Sequence, residues 1–237
     1  MKGNILITGA SSGIGKAIGR YLSQRDFKVI LVSRNRDKLS QAANELGNNC
    51  CIYPYDLECM DRIETIFEFC KEQGLRLNGL VHCAGMSTSV CIKENETSIM
   101  ESIFKVNCEA FLELGKYFLK RKYSEDHSSV VAISSMAAQR CSKGTSVYSA
   151  SKAALDAAVS VMAKEAVRRD IRVNSIRPGY VDTGMIDFLD GITDIGQRQE
   201  LGIIQPEYIA YLTEFLLSEK ARYITGAHIP VSAGLWC

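Results

Sequence analysis

Seven short apolar runs, at residues 4–8, 28–33, 50–55, 79–83, 129–134, 172–176 and 228–232, alternate along this chain with longer amphipathic or apolar segments such as 14–24, 36–46, 61–73 and 99–120. Runs of that length, apolar throughout rather than at every second residue, read as strands buried on both faces. Strands joined each time by a helix must return to the same end of the sheet, which makes the sheet parallel and lays helices over both of its faces. The pattern predicts a doubly wound α/β fold of the Rossmann type with a seven-stranded parallel sheet. No linker, repeat or low-complexity stretch divides the 237 residues, and with 46% of them apolar they can close one core. Residues 1–237 are read as a single domain. Residues 183–205, interrupted by Gly184, Gly191, Gly196 and Gly202, match no element and read as a substrate-binding loop or lid. The segment 153–163 is apolar around most of its circumference, which predicts one side against the sheet and the other against a second subunit.

Charge and cysteine content exclude several classes of function. Lys and Arg number 28 against 27 Asp and Glu, so there is no overall basic excess to favour nucleic acid or an anionic membrane. The local run Lys116, Lys120, Arg121, Lys122 reads as a solvated helix end. The only close pair among nine cysteines is the adjacent Cys50-Cys51, which fits neither zinc nor redox spacing and predicts free thiols in a reducing cytoplasm. His82, His127 and His228 lie in unrelated segments, so no metal site is expected. There is no signal-peptide pattern, and no apolar stretch reaches the roughly 18 residues of a membrane span.

The glycines of Thr8-Gly9-Ala10-Ser11-Ser12-Gly13-Ile14-Gly15 fall between the first strand and the first helix, the context a phosphate-binding loop requires. Gly9 suits the tight turn, Gly13 a close approach to a pyrophosphate, and Gly15 the packing of helix on strand. The helix N-terminal amides, after Ser11 and Ser12 and through Ile14, would face the anion. The second strand ends on Ser33-Arg34, where NAD enzymes place an acid for the ribose hydroxyls; an arginine there offers planar donors to a 2′-phosphate, favouring NADP(H). Asp56-Leu57 is placed for the adenine amino group, with a capping role for Asp56 as the alternative.

Tyr148 and Lys152 are spaced i, i+4 and project from one helix face. A phenol with a pKa of about 10 is a poor base at neutral pH, and a neighbouring ammonium is expected to lower that value. Ser135 follows the fifth strand, where it can bond a substrate oxygen; Ser134 is its rival.

In this order the residues resemble the short-chain dehydrogenases/reductases over nearly the whole chain. The matches are Thr8-Gly9-x-x-x-Gly13-x-Gly15, Asp56-Leu57, Asn107, Ser135, Tyr148-x-x-x-Lys152, the run Arg177-Pro178-Gly179-Tyr180-Val181-Asp182-Thr183, and Tyr223-Ile224-Thr225-Gly226. The resemblance implies an enzyme with a catalytic tetrad of Asn107, Ser135, Tyr148 and Lys152. Tyr148 would exchange the proton and Ser135 polarise the carbonyl. Lys152 would hold the nicotinamide ribose, and Asn107 a water leading to solvent. Ala84 and Gly85 would border the cofactor, and Pro178, Gly179, Val181 and Thr183 would line its nicotinamide side. A homodimer or homotetramer is implied. The chain departs from the family at His82-Cys83, where Asn-Asn is usual, and at Ser232-Ala233. Within the family the pattern is nearest to 3-oxoacyl-[acyl-carrier-protein] reductases. Arg168-Arg169 matches one basic position for an acidic carrier, while Glu125-Asp126 mismatches the other. A small carbonyl or alcohol substrate, on a carrier protein or free as a sugar, steroid or polyketide-type ketone, is thus expected. The competing class is a catalytically silent NADP-binding regulator.

Overall fold

The computed structural model describes residues 2–184 and 199–235. Its strands are β1 (Gly3–Thr8), β2 (Phe27–Ser33), β3 (Cys50–Pro54), β4 (Leu77–His82), β5 (Ser124–Ile133), β6 (Arg172–Pro178) and β7 (His228–Val231). They form one sheet in the order β3-β2-β1-β4-β5-β6-β7, and every neighbouring pair is parallel. The helices are α1 (Gly13–Ser23), α2 (Arg36–Asn44), α3 (Glu64–Glu72), α4 (Thr97–Phe104), α5 (Ala110–Phe118), α6 (Ser146–Ala166) and α7 (Pro206–Leu217).

The two-residue period of a strand sends neighbouring side chains to opposite faces. Leu6, Ile30, Val32, Leu80, Val130, Ala132 and Val173 meet Phe67, Phe111, Leu114, Leu155 and Val159 from α3, α5 and α6. Ile5, Ile7, Val29, Leu31, Val81, Val131 and Ile176 meet Ile18, Leu22, Leu39, Ile209 and Leu216 from α1, α2 and α7. The order in which successive strands are added reverses between β1 and β4, which opens a crevice beyond the carboxyl ends of those strands.

The structure corrects two boundaries and leaves one reading outside its range. The predicted helix 99–120 is two helices, because a π turn at Lys105–Glu109 separates α4 from α5. β5 begins at Ser124 rather than 129, with a register shift opposite Leu77 and Gly79 and His127 at φ +62°. The polar start of that strand is held by side chains that periodicity cannot register: Arg169 and Arg76 both donate to the Ser124 carbonyl, at 2.9 and 3.0 Å. Of the expected lid, residues 185–198 lie outside the described residues.

Candidate active site

The end of β1 is fastened to the end of β4 through one hydroxyl. Thr8 Oγ1 accepts from the amides of Cys83 and Ala84, both at 3.2 Å. Its own proton is then directed at His82 Nδ1, 3.1 Å away. Gly9 turns immediately beyond at φ +66°, and a Cβ there would stand 2.7 Å from the Ala84 backbone. A Cβ on Gly15 would run into the Gly9 carbonyl, so α1 rests directly on the loop that precedes it. Ser12, the N-cap of α1, makes no side-chain cap bond, and no acid occupies the first turn. The helical ladder starts with Lys16 N to Ser12 O at 3.1 Å, which leaves the amides of Gly13, Ile14 and Gly15 ahead of it. An uncapped N-terminus behind a glycine turn at the crevice fits a dinucleotide pyrophosphate.

The remaining cofactor candidates lie at or just past the carboxyl ends of β2, β3, β4 and β6. Ser11 Oγ and Ser33 Oγ are 2.8 Å apart, and Arg34 beside them is exposed. Asp56 Oδ1 accepts from Glu58 N at 3.1 Å, an Asx turn rather than a helix cap, since the next helical turn, Met60–Arg62, has Cys59 at its N-cap, while Leu57 is buried. Gly85 passes so close to the polar centre that a Cβ would stand 3.3 Å from Lys152 Nζ and 3.4 Å from Asn107 Oδ1. Pro178 ends β6, Val181 is buried and bridges to Ile204, and the Thr183 methyl lies 3.1 Å from where a Gly13 Cβ would be. Gln199, which periodicity gave no reason to select, is wholly buried. Its amide accepts from Tyr180 N at 2.8 Å and donates to the carbonyls of Tyr180 and Gly202 at 3.0 and 2.6 Å, fixing the strip after Gly179.

Ser135 and Tyr148 come together from the end of β5 and the first turn of α6. The Ser135 side chain acts on the Tyr148 phenol and favours its anion, and Ser135 Oγ accepts from Ala137 N at 3.1 Å. Ser134 is ruled out as the partner: it is buried, with its hydroxyl on the Lys152 carbonyl. Lys152 sits on the face expected, but the electrostatics differ from expectation. Its ammonium donates to the Ile133 carbonyl at 2.8 Å and lies 6.0 Å from the Tyr148 ring centre. Burial pushes the Tyr148 phenol up, and the group that favours its anion is Ser135. Burial also pulls Lys152 down to about 8. Spacing predicts which face two side chains share; it does not weigh desolvation against charge.

Asn107 reaches this centre from the π turn, which widens the helix where the chain passes Lys152. Its Oδ1 accepts from Met86 N at 2.7 Å, and its Nδ2 donates to Met86 O and Ser151 Oγ, both at 2.9 Å. Both side-chain donors are thus engaged in tying the β4–α4 loop to α6. The basic rim expected at Arg168-Arg169 is half absent: Arg169 is 11% exposed, and it donates to Asp126, Leu119, and both the carbonyl and the hydroxyl of Ser124. Among the described residues no group of three or more His, Cys, Asp or Glu could hold a metal ion, the eight cysteines are free thiols, and no helix is long and apolar enough to cross a membrane.

Comparison with known proteins gives the same picture. The family profile described as enoyl-(acyl carrier protein) reductase matches residues 9–236. Carbonyl reductase family member 4 of Xenopus laevis is 31% identical over 234 residues, covering 97% of this chain and 96% of the relative. The 3-oxoacyl-[acyl-carrier-protein] reductase FabG of Aggregatibacter actinomycetemcomitans is 30% identical over 241 residues, covering 99% and 100%. Among solved structures, 4-hydroxyisoleucine dehydrogenase complexed with NADH superposes with a TM-score of 0.92 at 27% identity, covering 99% of this chain and 98% of that one.

Proposed function

The chain belongs to the short-chain dehydrogenase/reductase family, and on that premise we propose that it is an NADP(H)-dependent carbonyl reductase in which Tyr148 exchanges the proton. The observation that carries this reading is the convergence of Ser135 from the end of β5 with Tyr148 and the buried Lys152 from α6, Lys152 Nζ lying 6.0 Å from the Tyr148 ring centre, at the carboxyl edge of the sheet. Gly9, Ser11, Ser12, Gly13, Ile14 and Gly15 would hold the pyrophosphate, Asp56 and Leu57 the adenine, and Ala84, Gly85, Pro178, Gly179, Val181 and Thr183 the nicotinamide half. When bound, the cofactor supplies the hydride. A carbonyl oxygen between Ser135 and Tyr148 receives a hydrogen bond from one hydroxyl and a proton from the other, so the charge developing on it is met by two fixed donors. Lys152 would hold the nicotinamide ribose, and Asn107 braces the wall behind it. In the alcohol-oxidising direction Tyr148 takes the proton.

Selectivity for NADP(H) rests on Ser33 and Arg34 standing where an acid would exclude a 2′-phosphate. The engagement of Arg169 with Asp126 favours a free carbonyl compound over a carrier-bound one, since an acidic carrier needs unpaired cations beside the cleft. Assembly into a homodimer or homotetramer is supported by apolar side chains left at the surface, among them Leu112 on α5 (51% exposed) and Val161 on α6 (56%). A cytoplasmic setting fits the free thiols. Initial rates with NADPH and with NADH against acetoacetyl thioesters, sugar ketones and steroid ketones test this reading. Turnover of at least one ketone, faster with NADPH, is expected; cofactor binding with no turnover across the panel would favour the silent regulator.

A further inference from the structure

Among the described residues the only buried lysine and the only buried carboxylate lie one helical turn apart: Lys152 and Asp156, each 4% exposed. With Tyr148 they occupy positions i, i+4 and i+8 on the same side of α6. A buried carboxylate is costly unless its oxygens are met, and those of Asp156 are met from the sheet side. Ser175 donates to Oδ1 at 2.7 Å and Arg177 Nε to Oδ2 at 2.7 Å. His228 Nδ1 is 3.5 Å from Oδ1, and Arg177 is steadied in turn by Gln139 at 3.2 Å. This mount on β6 and β7 fixes the carboxylate without touching the reacting groups.

Among the described residues, Asp156 is the only carboxylate that acts on Lys152. Its one hydrogen bond goes to a neutral carbonyl. From the β4–α4 loop it faces Cys83, and from the π turn Cys108, two thiols that burial pushes up, Cys83 to about 12. His82 on β4, held down to about 3, is neutral, as is Tyr148, whose phenol is pushed up. Asn107 and Gly85 complete the wall. We propose that Asp156 is the counter-charge that keeps Lys152 an ammonium in this buried setting, a positioning residue that acts through Lys152, with Ser175 and Arg177 as its mount. Burial pulls Lys152 down; against that pull stand Cys83, which its raised pKa leaves a neutral thiol, and then the Asp156 charge. The inference rests on the reading of Lys152 given above, but its physical content is separate from turnover.

The test compares the parent protein with Asp156→Asn, Arg177→Gln and Ser175→Ala. The Lys152 Cε resonance is followed through a pH titration of ¹³C-lysine-labelled protein, assigned with Lys152→Arg, alongside the pH dependence of kcat/KM. Opposite unit charges one helical turn apart but not in contact, at an effective dielectric of about 20, interact by the equivalent of about one pH unit. Asp156→Asn should therefore lower the Lys152 titration by about one pH unit and draw the high-pH limb of kcat/KM down with it. Arg177→Gln, which removes a cation and leaves the carboxylate, should raise the titration. Ser175→Ala should lose thermal stability and leave the titration unmoved. Opposite signs for the two charge changes cannot come from general loosening, and Arg177→Gln decides the matter if Asp156→Asn does not fold. A titration unmoved in Asp156→Asn, or moved the same way in all three variants, overturns the proposal. Absence of turnover on every ketone would instead sink the catalytic reading and leave the resonance titration to stand or fall alone.

Discussion

His82 shows what one residue can alter without altering the chemistry. Where the family has asparagine, this imidazole accepts from Thr8 at 3.1 Å and lies 5.7 Å from the Phe111 ring, with its Nε2 buried. Burial, with Lys152 nearby, takes it from 6.5 down to about 3. Between those values the unfolded chain binds a proton that the folded chain refuses, so stability falls as pH falls below about 6.5, by about 1.4 kcal/mol per pH unit, and is unaffected above it. Replacing His82 with Asn should remove that one-proton slope between about pH 6 and pH 4.5, as read from urea unfolding at stepped pH. An unchanged slope would mean that His82 is protonated in the folded protein. The sequence marked His82 as a departure from the family's asparagine. It could not say that the partner is Thr8, because residues 8 and 82 meet only through the β1–β4 pairing.

At the scale of elements, the strand-to-helix junction was legible because glycine carries a steric message. Gly15 marks a contact between α1 and the Gly9 carbonyl that any side chain would fill. Gly15→Ala should therefore lift α1 from the loop, destabilising the protein by about 1–3 kcal/mol and weakening NADPH binding, as measured by thermal unfolding and cofactor fluorescence. A variant with parental values in both would contradict the packing described. The π turn was not legible, since α4, the turn and α5 together present one apolar stripe through Ile103, Ala110, Phe111, Leu114 and Phe118. The visible sign was a polar residue, Asn107, set within that stripe. The start of β5 was hidden for the opposite reason: Glu125, Asp126 and His127 look like a loop, and the arginines that hold them, Arg76, Arg121 and Arg169, come from outside the strand.

For the molecule as a whole, periodicity predicted a parallel sheet with helices on both faces but not its strand order, and the order is what assembles the site. Placing β1 beside β4 and β4 beside β5 brings Thr8, His82 and Ser135 to one edge, and α6 then delivers Tyr148 and Lys152 to it. Charge balance was misread from spacing alone: Lys152 bonds the Ile133 carbonyl rather than depressing Tyr148, because burial is a property of the folded chain and not of an i, i+4 pair. The central claim is that the Tyr148 hydroxyl moves the proton. It is tested most directly by Tyr148→Phe, assayed for NADPH binding and for kcat/KM on the best ketone of the panel. Binding within a few-fold of the parent and a fall in kcat/KM of about 10²–10⁴-fold are expected; parental turnover in Tyr148→Phe would contradict the account.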